Sequence, residues 1–104
     1  MIKIKPLSVN KAWQGKRFKT KEYKAYEIEL LLKLPTLSVS KDKLLGIEIM
    51  VYFKNKASDI DNVLKPMLDI MQKKYGFDDN QIYKLTIYKI ISKNEGFEFN
   101  IFEL

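Results

Sequence analysis

The stretch 58–84, SDIDNVLKPMLDIMQKKYGFDDNQIYK, holds the residues with the clearest chemical potential in this chain. Asp59 and Asp61 stand two apart, Lys65 follows four residues after Asp61, and Asp78 and Asp79 form an adjacent pair further on. Carboxylates this close repel one another unless a cation lies between them. Side chains two apart share one side of an extended chain, but lie about 200° apart around a helix. Asp59 and Asp61 can therefore share an ion only if the backbone is extended there and a helix begins just afterwards. Asp61 is a suitable N-cap for a helix starting near Asn62. Oxygen donors without histidine or cysteine suit Mg²⁺ or Mn²⁺ better than zinc. An ion held by two or three carboxylates, with water and phosphate completing its shell, serves phosphodiester hydrolysis: it activates a water and stabilises the attacking and leaving oxygens. Lys65, in the first turn of that helix, is placed to contact a phosphate or a leaving group.

Each of these residues also has an ordinary structural role open to it. Aspartate is a common N-cap. Asp61 and Lys65 have the spacing of a surface ion pair on a helix, and Asp78-Asp79-Asn80 is good turn chemistry. Composition narrows the choice. The 104 residues include no cysteine and no histidine, which removes disulfides, zinc ribbons, thiol nucleophiles, Ser-His-Asp triads and histidine general bases. Any catalysis falls to carboxylates, lysines, tyrosines and hydroxyls.

The net charge of +6 points weakly toward a polyanionic partner. Its distribution says more: residues 1–54 carry 12 Lys and Arg against 5 Asp and Glu, and residues 55–104 carry 7 against 8. The basic excess sits in the first half and is almost all lysine, Arg17 being the one arginine. Lysine meets phosphate as a mobile point charge, whereas arginine forks onto a guanine edge. The expected recognition is of backbone and shape. The basic cluster Lys11, Lys16, Arg17, Lys19 and Lys21 lies in or beside a loop over 7–20 and is the expected nucleic-acid contact, or else a solvated face. Trp13 in that loop is suited to stacking on a base or to anchoring the loop. No leader segment or membrane span is visible, so an intracellular, cytoplasmic setting without a membrane partner is expected.

The elements that must position these residues follow from periodicity. Residues 1–5 alternate as a short strand that Pro6 ends. A helix over 20–34 starts at Thr20, carries Tyr23, Tyr26, Leu30, Leu31 and Leu34 on one face, and stops at Pro35. A strand over 46–54 is apolar on one face and half apolar on the other, so it is central. A second helix over 62–75 ends at Gly76 as its C-cap. A strand over 82–91, a hairpin turn at Asn94-Glu95-Gly96 and a last strand from Phe97 complete the chain. The order is β-α-β-α-β-β: one small α+β domain over residues 1–104, with two helices packed on a small mixed sheet.

With these residues in place, the run Asp59-x-Asp61-Asn62-x-x-Lys65, followed by a helix and by Gly76-Phe77-x-Asp79 before Gln81, resembles the RusA family of Holliday junction resolvases. Pro6-x-Ser8-x-Asn10 is similar to that family's opening loop, which adds Asn10 to the expected DNA contacts. The resemblance implies a homodimer that uses Mg²⁺ (Mn²⁺ as a substitute) to make paired symmetric nicks across a four-way junction, often encoded by prophages. It places three essential aspartates on Asp59, Asp61 and Asp79, an essential lysine on Lys65, and an auxiliary acid on Asp78. Pro66 and the scarcity of arginine depart from the pattern. A two-fold dimer suits a junction with two equivalent strands to cut, and the wide apolar stripe around Leu64, Met67 and Met71 is the expected subunit contact. A helix of about 14 residues spans about 21 Å, so Asp79 meets Asp59 and Asp61 only through a partner subunit or a particular sheet geometry. Two other readings fit the same residues: a non-catalytic nucleic-acid-binding module whose aspartates are caps, and a metal-dependent nuclease of other branched DNA or of RNA.

Overall fold

The computed structural model describes residues 1–14 and 18–104. Its centre is the strand β3, Leu45–Phe53, the middle member of a three-stranded sheet. β4, Ile82–Ile91, runs parallel to β3 on one side, and β5, Gly96–Glu103, runs antiparallel on the other. Residues Leu45, Ile47, Ile49, Val51 and Phe53 alternate onto one face and are buried there. That face receives two helices, α2 (Lys21–Lys33) and α3 (Leu64–Tyr75). A one-turn helix, α1 (Val9–Ala12), and a two-residue ribbon of β1 (Trp13–Gln14) and β2 (Phe18–Lys19) precede them.

The α+β order and the mixed sheet agree with the sequence pattern, and three details differ. Residues 1–5 do not form a strand. Ile2 makes one bridge to Phe97, with hydrogen bonds of 2.9 and 3.0 Å, and the pairing stops there. In an antiparallel pair Ile4 would have to face residue 95, beyond the start of β5, so the ladder has no partner to continue on. Ile4 is still buried, as the alternation requires.

Residues 94–96 do not close a hairpin. β4 and β5 are not neighbours, because β3 lies between them. The connection crosses the end of β3, where the Ser92 amide donates to the Phe53 carbonyl at 2.8 Å. Inserting β3 pairs both edges of the strand with the most deeply buried side chains, which an edge position would leave half wet. Gly96 is required at the crossing, since a Cβ there would run into the Ile2 carbonyl oxygen.

Met67 and Met71 are fully enclosed in the chain's own core with Ile70 and Tyr23. They are therefore not a subunit contact. The wide stripe of α3 is spent on the sheet and on α2.

Thr20 fixes the start of α2. Its hydroxyl accepts from the Tyr23 amide at 3.1 Å and donates to the Lys11 carbonyl at 2.5 Å, joining the N-terminal segment to the helix. It is also buried. Thr20→Val keeps the shape and removes both bonds. It should cost about 1–2 kcal/mol, read in a thermal melt as a fall of roughly 4–8 °C for each kcal/mol. An unchanged melting temperature would show that the cap is dispensable.

Candidate active site

The parallel pairing of β3 with β4 decides where the acidic residues go. Strands that run the same way need a crossover, and α3 supplies it. The chain leaves β3 at Phe53, passes through the loop 54–60, runs back along α3, and re-enters the sheet at Ile82 beside Leu45. Asp59 and Asp61 thus lie past the C-terminal end of β3, while Asp78 and Asp79 lie before β4 at the opposite end. The intervening strand of nine residues spans about 26 Å at the usual rise. Among the described residues no three acidic side chains gather where they could hold a metal. One chain therefore brings Asp59 near Asp61, and Asp78 near Asp79, but does not join the two pairs.

At the first pair the backbone is not extended. Ile60 has helical angles of φ −63° and ψ −40°, and a 3₁₀ turn, Asp61–Val63, leads into α3. Neither that turn nor α3 is capped by a side chain, so Asp61 does not act as the N-cap that its position suggested. Asp59 accepts one hydrogen bond, from the Asn62 amide at 3.2 Å. Asp61 is exposed, and its carboxylate makes no hydrogen bond or ion pair among the described residues; only its backbone carbonyl is engaged, by the Leu64 amide. Lys65 does not pair with Asp61. Its ammonium lies 3.2 Å from Asp69, the next turn along. Pro66 is the third residue of α3 and fully buried, where its missing N–H is no loss.

The second pair is a built turn. The Asp78 carboxylate accepts from the Asn80 amide at 3.2 Å, and the Gln81 side-chain oxygen accepts from the Asp78 amide at 2.9 Å, which makes a capping box. Gln81 is buried, and its amide nitrogen donates to the Ser40 and Lys43 carbonyls at 3.0 and 2.9 Å. The Asp79 amide donates to Gln72 at 3.1 Å, leaving its carboxylate exposed at the surface. Sequence reasoning missed Gln81, although the Asp-x-x-Gln pattern of a capping box was there to read. It also missed Lys89. That lysine has the same strand parity as Leu85 and Ile87, so it points inward. It donates to the carbonyls of Lys56, at 2.6 Å, and Ser58, tying the loop that carries Asp59 to the end of β4.

Asp59 and Asn62 stand in the wall of a cleft of about 610 Å³, and the N-terminal segment supplies the facing wall with Pro6, Ser8 and Lys11. The two sequence features, some fifty residues apart, therefore meet. Asp61 is not part of the cleft lining. Tyr26 also lines it, and its buried hydroxyl has no hydrogen-bond partner among the described residues, with burial pushing the phenol upward. Of the expected DNA contacts, Asn10 and Lys11 are exposed on α1 and Lys21 is exposed at the start of α2. Lys16 and Arg17 lie outside the described residues. Lys19 is half-buried: it sits 3.2 Å from Glu27 and over the Tyr23 ring.

Glu27 also receives Lys73, at 3.2 Å, so this one carboxylate joins β2, α2 and α3. Burial alone would raise its pKa, but the hydrogen bonds from Lys19 and Lys73 outweigh burial and hold it below the ordinary carboxylate value of 4.5. A lowered folded-state pKa means stability that is complete above the unfolded pKa and lost as pH falls through the folded one. Glu27→Gln should cost about 0.5–1 kcal/mol at neutral pH, because the lysine partners are largely solvated. The gap between the variant and the wild type should shrink in urea melts below pH 4.5. A gap that stays constant with pH would rule out this role.

The family described as Endodeoxyribonuclease RusA matches residues 6–101, nearly the whole chain. Comparison with the curated proteins finds no match. No helix among the described residues is long and apolar enough to cross a membrane.

Proposed function

The chain belongs to the RusA endodeoxyribonuclease family, and from that premise we propose that it is a divalent-metal-dependent nuclease that resolves four-way DNA junctions as a homodimer. The observation that carries this reading is the family match over residues 6–101, together with the acidic motif at a cleft walled by the N-terminal segment. The donor set suits the ion. Asp59 and Asp61 are exposed oxygen donors, only one of them engaged, and by one hydrogen bond. Magnesium commonly takes one or two carboxylates and leaves its other positions to water and phosphate.

In this reading Asp59, Asp61 and Asp79 hold the ion, with Asp78 keeping the second turn in shape. The bound ion would supply an activated water and charge stabilisation on the phosphoryl oxygens. The Asn62 amide fixes the orientation of the Asp59 carboxylate. Lys65 has only a solvated partner, Asp69, and exchanges it readily for a phosphate oxygen. Lys11, at the cleft wall, and Lys21 beside it meet the DNA backbone. Lysines at these positions grip phosphate without reading bases, consistent with recognition of junction shape.

The test is incubation of purified protein with labelled four-way junction, flap and linear duplex, with and without Mg²⁺. The junction should be nicked in symmetric pairs, and only with the metal. Asp59→Asn, Asp61→Asn, Asp79→Asn and Lys65→Ala should each lower the rate by roughly 10²–10³-fold or more while junction binding stays near the wild-type level. Cutting of the junction by Asp59→Asn at the wild-type rate would remove the metal-site assignment. Preferential cutting of flap DNA would keep the nuclease and change its substrate. Lys11→Ala should lower the slope of log affinity against log salt by about one; an unchanged slope would remove Lys11 from the phosphate contacts.

A further inference from the structure

Among the described residues, Tyr26 alone buries a side-chain polar atom without a hydrogen-bond partner. The residue is 6 % exposed. A hydroxyl in that position has lost its water and gained nothing in return. Burial also pushes the phenol upward, so the group stays a neutral O–H donor. Tyr26 belongs to the wall of the 610 Å³ cleft, within the roughly 300–1,000 Å³ usual for small-molecule sites. Pro6, Leu7, Phe53 and Val63 give that cleft its apolar surface.

We propose that this cleft takes one unstacked nucleobase of the DNA strand to be cut, with the Tyr26 hydroxyl bonding the polar edge of the base. The inference rests on the nuclease reading above and deepens it: the lysines hold the backbone, and the cleft adds a contact to a base.

The charge of the cleft favours a neutral occupant over a phosphate. The carboxylates of Glu22, Glu29, Asp59 and Glu95 line it, against Lys5 and Lys11. Lys33 pairs with Glu29 at 2.7 Å and Lys54 with Glu95 at 3.7 Å, which evens the balance. No positive surplus is left to draw a phosphate inside. Neutral hydrogen-bonding groups are free there instead. Asn55 uses its side-chain oxygen on the Ala57 amide and the Ser58 hydroxyl and keeps its amide hydrogens. Asn62 gives an amide hydrogen to Asp59 and keeps its oxygen. Tyr26 on α2, Asn55 in the loop after β3 and Asn62 ahead of α3 thus offer donors and an acceptor between apolar walls. A flipped base needs that mixture, for its edge and for its flat faces. Asp59 lies in the same lining, so a nucleotide whose base is held here has its phosphate near the acidic motif.

Access depends on the N-terminal wall. The Tyr26 oxygen is closed off from solvent, so a base reaches it only when a wall gives way. Residues 4–10 are able to do so. They are tied before, by the bridge of Ile2 to Phe97, and after, by the bond from Thr20 to the Lys11 carbonyl. Between those points no backbone hydrogen bond joins them to the rest of the described chain. Leaving the stack costs a base least where it is already poorly paired, as it is at a branch point.

The fluorescence of 2-aminopurine tests this, because that base brightens when it leaves the stack. Four-way junctions carrying it at one nucleotide at a time around the branch point are bound to the full chain without Mg²⁺. One position should brighten several-fold. Tyr26→Phe should weaken that capture about tenfold and melt no lower than the wild type, since it deletes an unpaired hydroxyl. Ala25→Trp, an exposed change on α2 that fills the cleft, should abolish the brightening with circular dichroism unchanged. A Tyr26→Phe variant that melts several degrees lower yet captures the base as the wild type does has lost a structural hydroxyl only, and overturns the proposal. A wild type that nicks the junction with Mg²⁺ but brightens no position also overturns it, while the nuclease reading stands. Brightening that depends on Tyr26, in a protein that cuts nothing with metal, supports the cleft and removes the nuclease reading.

Discussion

Most of this molecule follows from the parallel pairing of β3 with β4. Two adjacent strands running the same way oblige the chain to return across the sheet before the second begins. Here α3 makes that return, and the acidic groups sit at its two ends. The same helix turns its apolar side, Met67, Ile70 and Met71, onto the sheet. Burial of that side holds the two ends apart. The separation of the carboxylates is thus a rigid property of the core, one that loop motion cannot remove. Within one chain the sheet order thus keeps the two acidic pairs at opposite ends of β3.

Local features of the fold were legible in the sequence because short-range physics sets them. Thr20 caps α2, Pro35 follows its end, Gly76 closes α3 at φ 75°, and β4 covers Ile82–Ile91 as the alternation indicated. Strand neighbours were not legible. A glycine after Asn94-Glu95 is equally compatible with a tight hairpin and with a crossing under a third strand. The choice depends on how deeply β3 is buried, a property of the whole assembly of elements. The N-terminal segment shows the same division: alternation correctly buried Ile4, but strand formation required a partner that β5 was too short to offer.

At the site, residue types were more informative than geometry. Spacing singled out Asp59, Asp61, Asp78 and Asp79 as candidates, but not the helical turn at Ile60 or the pairing of Lys65 with Asp69. Spacing cannot tell which of two carboxylates, four residues before or after a lysine, will take it. Net charge was similarly incomplete as a guide to the basic surface. Lys19 counts toward the cationic excess, yet Glu27 holds it, and the same carboxylate holds Lys73. The charge available to a polyanion is consequently smaller than the composition implies, while Lys11 and Lys21 remain exposed.

Gln81 has a consequence for the durability of the fold. Its carbonyl oxygen takes the Asp78 amide, and its nitrogen is shared between the Ser40 and Lys43 carbonyls. Both ends of the side chain are committed, so the amide cannot be turned over without loss. Hydrolytic ageing to glutamate would exchange one nitrogen for one oxygen and set a buried anion against two carbonyl dipoles. The chain segment before β3 and the turn before β4 would then part from each other, making this amide the point at which slow chemical damage would first reach the second acidic pair.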